Sequence, residues 1–120
     1  MALKLSRVSI ADVHSLCTRA LTASGLYAES VEAIARTISS AERDGCQSHG
    51  LFRLPGYCNG LRSGKCSPDA RPVVHEAGAA VVRVDAGRGP APYALEVGVE
   101  ALTKCTHRSG VGVLAVTNAF

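Results

Sequence analysis

Val111-Gly112-Val113-Leu114-Ala115-Val116-Thr117 decides the fold. Nearly every position is apolar, without the alternation of a strand that has one wet face. Such a run reads as a strand buried on both faces, the habit of parallel sheets. Upstream, from about Pro92 to His107, Leu95, Val99, Leu102 and Cys105 or Thr106 recur at helical spacing. Pro92 suits a first helical turn, and Gly110 lies just past the end. Before that helix, Ala79 to Asp85 reads AAVVRVD and is rich in β-branched residues, as strands are. Strand, helix, strand predicts a right-handed βαβ unit with parallel strands. Pro72 to Glu76 adds a short strand, with a turn marked by Gly78.

The first half is helical. Ile10, Val13, Cys17, Ala20 and Leu21 form an apolar stripe that Gly25 stops. Ser9 is placed to cap the first turn, with Asp12 near its positive end. Lys4 to Val8 reads as a short extended segment. A second helix runs from about Ala28 to Arg43, with Val31, Ile34, Ala35, Ile38 and Ala41 on one face. The pair should pack antiparallel. Leu51, Leu54, Cys58 and Leu61 predict a third helix from about His49 to Arg62, capped by Ser48. Pro55 lies beyond the position where proline is best tolerated, so a kink or an irregular start is expected. Ser63 to Arg71 is a loop.

The fold class is therefore mixed α/β. Residues 1–72 form an N-terminal helical segment, and residues 73–120 begin a β-α-β sheet region. The apolar final strand is followed only by Asn118-Ala119-Phe120. Nothing there covers it, so the chain reads as truncated: the N-terminal part of a larger protein, or one half of a pair.

Composition narrows the function. The net charge is +3, the 13 Lys and Arg are scattered, and aromatics make up 4% with no Trp. Neither a basic stripe nor stacking residues point to nucleic acid. No apolar stretch is long enough to span a membrane, and the N-terminal MALKLSRVSIADVH lacks the apolar run of a leader. Five cysteines without a C-x-x-C suggest free thiols in a reducing cytoplasm.

Three groupings could carry chemistry. Cys46, His49, Cys58 and Cys66 can be drawn as a zinc set. A helix would put Cys58 about 13 Å along the axis from His49, and zinc needs its ligands within ~2.3 Å of one point; no metal is expected. Gly87-Arg88-Gly89-Pro90-Ala91-Pro92 stands between strand and helix, the setting of a dinucleotide fingerprint, but position 92 is proline where the third glycine belongs. His49 and Arg53 are four apart, hence on one helical face. Arg53 can grip a carboxylate with two parallel hydrogen bonds, and His49 can exchange a proton near neutral pH.

At these residues the chain resembles a known family. Asp44-Gly45, Ser48-His49-Gly50, Arg53-Leu54-Pro55, Leu61-Arg62-Ser63-Gly64, the VDAG turn at Val84 to Gly87 and the closing GVGVLAVTNAF resemble the type-2 malate/L-lactate dehydrogenases. The resemblance covers essentially the whole chain. The wording SHGLFRLPGY is most like the branch that reduces Δ1-piperideine-2-carboxylate and Δ1-pyrroline-2-carboxylate. It implies a non-Rossmann α/β fold, a homodimer, and NADPH or NADH as cofactor. His49 matches the active-site histidine that moves a proton, Ser48 the serine beside it, and Arg53 the arginine that binds the substrate carboxylate. The expected activity is reduction of a cyclic imino acid to the cyclic amino acid. A malate/lactate-type 2-hydroxy acid dehydrogenase and a non-catalytic fragment are the alternatives. Family members are longer, and most nucleotide contacts and an active-site aspartate come from sequence beyond position 120. Pro90 stands where the branch commonly has an aromatic residue.

Overall fold

The computed structural model describes residues 4–120, so the first three residues of the stretch read for a leader lie outside it. Ser9 caps α1 (Ile10–Ala23) through a reciprocal box: its Oγ accepts from the Asp12 N–H at 3.0 Å, and Asp12 Oδ2 accepts from the Ser9 N–H at 3.2 Å. The Ser9 hydroxyl, donating to Asp12 Oδ2 at 2.7 Å, and then the Ser9 N–H hold the Asp12 carboxyl below its usual range. Residues 4–8 pair with no strand, so the expected extended segment is an unpaired lead-in to the cap. Gly25 turns the chain at φ 83°, into α2 (Ala28–Arg43). Val31, Ile34, Ala35 and Ile38 of α2 meet Val13, Cys17 and Leu21 of α1 in one buried cluster, joined by Leu26 and Leu54.

The third helix departs from the sequence reading. Two 3₁₀ turns, Gln47–His49 and Leu51–Arg53, precede a nine-residue α3 (Leu54–Arg62). Pro55 therefore falls in the first turn of α3, where its missing N–H costs nothing. The irregular start is observed. Ser48 is not the helix cap, because it sits inside the first 3₁₀ turn.

The second half is a three-stranded sheet of order β1-β2-β3, with β1 (Val73–Gly78), β2 (Val81–Asp85) and β3 (Val113–Thr117). β1 pairs antiparallel with β2, and β2 parallel with β3 through the crossover helix α4 (Ala91–Ser109). Gly110, at φ 77°, ends α4. Val82 and Val84 alternate inward from β2 onto Ala94 and Cys105 of α4. Gly98 lets α4 approach closely, since a β-carbon there would meet Leu114 at 2.7 Å and Val84 at 2.9 Å.

β3 is not buried on both faces, contrary to the reading of its apolar run. It is a sheet edge, and Val113 is 57% exposed. The physical reason is coverage: among the described residues α4 is the helix packed on this sheet, so the opposite face shows Val73, Val81 and Val113.

The two halves meet along α2 and α4. Arg36 bridges them, holding Glu32 on its own helix at 3.1 Å and Glu96 on α4 at 2.8 Å. Beyond β3 the chain folds back. The Phe120 N–H donates to the Gly89 carbonyl at 2.9 Å, and the Phe120 ring packs beside Tyr57 of α3, centroids 6.2 Å apart.

Candidate active site

The site is built on the way α2 ends. Gly45 takes the left-handed conformation at φ 76°, its N–H donates to the Glu42 carbonyl, and the Cys46 N–H reaches the Ala41 carbonyl at 2.8 Å. This paired closure is a Schellman motif. It fixes the direction in which the chain enters the two 3₁₀ turns. The His49 N–H then donates to the Cys46 carbonyl, and the Arg53 N–H to the Gly50 carbonyl, both at 2.9 Å.

Ser48 and His49 come together: Ser48 Oγ lies 3.1 Å from His49 Nδ1 on the exposed side of the first turn. Arg53 lies on the second turn, so the two residues do not share an α-helical face. Glycine at position 50 and a change of turn intervene. Arg53 lines a cavity of about 460 Å³ with Phe52, Gly56, Tyr57 and Phe120. Ser48 lines a neighbouring cavity of about 480 Å³ with Glu42, Gln47 and Phe52. Phe52, 78% exposed, belongs to both walls.

The Arg53 cavity joins one cation to three aromatic rings, a setting for a small flat anion. Burial pushes the Tyr57 phenol up, against a pull downward from the Arg53 guanidinium. Tyr57 therefore stays neutral and keeps its hydrogen at physiological pH. Glu42 accepts the Leu51 N–H at 2.7 Å.

Sequence reasoning missed Phe52, Tyr57, Phe120 and Glu42. Phe120 offered no signal, because its place depends on the chain turning back after β3. Glu42 did offer one: a carboxylate in the last turn of a helix opposes the helix dipole.

The glycine loop does not fit a pyrophosphate. Its N–H groups are spent internally: Gly87 on Asp85 Oδ1 at 2.8 Å, Arg88 on the Asn118 carbonyl at 2.8 Å, and Gly89 on the Ala86 carbonyl at 2.8 Å. A phosphate cradle needs such groups free. Among the described residues no three His, Cys, Asp or Glu side chains come together to hold a metal. Cys17, Cys66 and Cys105 are buried, Cys46 is exposed, and all five cysteines are free thiols. No helix among the described residues is long and apolar enough to cross a membrane.

Residues 8–120 match the malate/L-lactate dehydrogenase family. The chain belongs to this family. A Δ1-pyrroline-2-carboxylate reductase of Ancylobacter novellus is 47% identical over 114 residues, 95% of this chain and 33% of that protein. A (2R)-3-sulfolactate dehydrogenase (NADP+) of Chromohalobacter salexigens is 40% identical over 109 residues, 91% of this chain and 32% of that one. The crystal structure of Δ1-piperideine-2-carboxylate reductase from Pseudomonas syringae pathovar tomato superposes with a TM-score of 0.86 at 39% identity, covering 93% of this chain and 34% of that one. The fold is thus the mixed α/β fold of the malate/L-lactate dehydrogenases. The chain spans about a third of the length of the curated relatives it matches.

Proposed function

We propose that this chain carries the substrate-binding part of an NAD(P)H-dependent oxidoreductase that reduces a cyclic imino acid, Δ1-pyrroline-2-carboxylate or Δ1-piperideine-2-carboxylate, to the cyclic amino acid. The observation that carries the reading is the Arg53 guanidinium in a cavity walled by Phe52, Tyr57 and Phe120. A guanidinium grips a carboxylate through two parallel bonds, and aromatic walls suit a flat ring. On this reading residues 1–72 supply the groups that touch substrate, and Phe120 closes the cavity from the 73–120 segment.

Reduction of the C=N bond places a hydride on carbon and a proton on nitrogen. The nicotinamide cofactor, NADPH or NADH, supplies the hydride. His49 supplies the proton. The proton comes from the imidazolium, in which Nδ1–H donates to the Ser48 hydroxyl oxygen and the Nε2 proton is the one given, leaving the neutral imidazole. Ser48 thus orients the ring. Since the Gly87–Gly89 loop does not fit the pyrophosphate, the cofactor is held elsewhere. The resemblance also carries a homodimer, and free thiols suit the cytoplasm.

A second reading has an observation of its own. The sulfolactate dehydrogenase relative supports a 2-hydroxy or 2-keto acid substrate, which Arg53 would hold equally well by its carboxylate.

Two assays test these readings. Titration with pyrrole-2-carboxylate, a flat five-membered ring bearing a carboxylate, reads binding. Oxidation of NADPH or NADH with the two imino acids or with 2-keto acids reads turnover and chooses between substrates. Arg53→Ala should weaken binding on the order of 10- to 100-fold, the scale of charged hydrogen bonds. His49→Ala should leave binding within a few-fold and lower turnover. Equal binding by the unaltered protein and Arg53→Ala would refute the assignment of the carboxylate site.

A further inference from the structure

We propose that Glu42 is the positioning residue of the Ser48–His49 turn, acting through the backbone and without touching substrate. The proposal rests on the reading of that turn as the proton-handling part of the site.

Glu42 is placed against its own electrostatics. It lies one residue before the end of α2, where exposed carbonyls favour a cation. A different contact offsets this. Glu42 Oε1 accepts the Leu51 N–H at 2.7 Å, across nine residues of sequence. That distance is short for an N–H donor, as charge-assisted bonds are. Leu51 opens the second 3₁₀ turn, immediately after the first has closed with the Gly50 N–H on the Gln47 carbonyl at 3.1 Å. The carboxylate therefore fastens the joint between the turn that carries Ser48 and His49 and the turn that carries Arg53.

Gly50 shows the same contact from the other side. It is buried, and a β-carbon added there would overlap the Glu42 carboxylate. The glycine of the Ser-His-Gly triplet leaves room for this carboxylate: its φ of −86° lies outside the left-handed region, and a β-carbon there would displace the end of the Glu42 side chain. The Glu42 side chain also lines the cavity that Ser48 faces. Moving this one carboxylate would disturb the joint, the glycine and the wall beside the serine together.

Hydrogen exchange at the Leu51 amide tests the proposal, with Glu42→Ala and Glu42→Gln compared in the same chain. The amide oxygen of glutamine still accepts the N–H, whereas alanine offers no acceptor. Glu42→Ala should speed exchange at Leu51 about tenfold or more, the scale of one hydrogen bond to a charged acceptor. It should leave the amides inside α1 and α2 protected, and it should weaken pyrrole-2-carboxylate binding. Glu42→Gln should restore both the Leu51 protection and the binding to within a few-fold. Unchanged exchange at Leu51 in Glu42→Ala overturns the proposal. So does loss of protection throughout α2, which would mark a general structural role, and so does failure of glutamine to rescue. If the unaltered chain takes up no pyrrole-2-carboxylate, the substrate reading falls, and exchange at Leu51 still decides the role of Glu42.

Discussion

Gly60→Ala separates the stability of this protein from the shape of its cavity. Gly60 is buried in α3, and a β-carbon there would run into the ring of Phe120. The colliding atoms are the far end of a side chain that is itself 38% exposed, so the ring has somewhere to go. Displacing it loses the Tyr57 ring contact, worth about 0.5–1.5 kcal/mol. Alanine within a helix returns about 0.5–1 kcal/mol over glycine. The two nearly cancel, so urea unfolding should place the variant within about 1 kcal/mol of the parent. Binding should not cancel. Phe120 walls the Arg53 cavity, and removing a ring contact of about 1 kcal/mol loosens a flat ligand roughly fivefold. Calorimetric titration with pyrrole-2-carboxylate reads that change. A loss of more than about 3 kcal/mol in stability, or unchanged affinity, would show that Phe120 does not form this wall.

Three further outcomes follow from the packing and charges. Gly98→Ala meets Leu114 and Val84 in the sheet core, with no exposed side chain to yield, and should cost about 1–3 kcal/mol by urea unfolding. The Asp85 carboxyl is held below its usual range by the Gly87 N–H and then by Asn118. Its stabilisation is present above the unfolded value of 3.8 and is lost as pH falls through the lower folded value, so the Gly87 amide resonance should move only in strong acid. Burial, with Cys58 and Glu42 adding to it, pushes the Cys17 thiol from 9.0 up to about 11. Stability should therefore fall between those values as pH rises, and Cys17→Ala should flatten that slope. In native protein a thiol reagent should modify the exposed Cys46 well before Cys17.

The helices were legible because their signals are local. Ser9 and Asp12 form the capping box at the expected residues, and the α2 stripe faces α1 as its spacing required. The strand-helix-strand order was legible for the same reason. What failed depended on distant chain. The apolar run 111–117 correctly marked a parallel strand, but its burial is set by what lies on each face, and α4 covers one. Ser48 looked like a cap because a serine before an apolar stripe often is one. Here the Schellman closure at Gly45 had already chosen another path, and the serine hydroxyl turned to His49.

The same division explains why the site was half visible. Ser48, His49 and Arg53 lie within six residues of sequence and stood out together. Their surroundings do not lie there. Glu42 reaches Leu51 from the end of α2, Tyr57 stands one α3 turn beyond Arg53, and Phe120 arrives from beyond β3. Each brings a property that the motif lacks: a fixed joint, a neutral phenol and an apolar wall. A cation alone binds any anion. A cation held among three rings, beside a serine-histidine pair, favours a small flat one. On the proposed reading, substrate selection depends less on the conspicuous triplet than on the contacts that close around it, and those contacts are where Gly60→Ala and Glu42→Ala act.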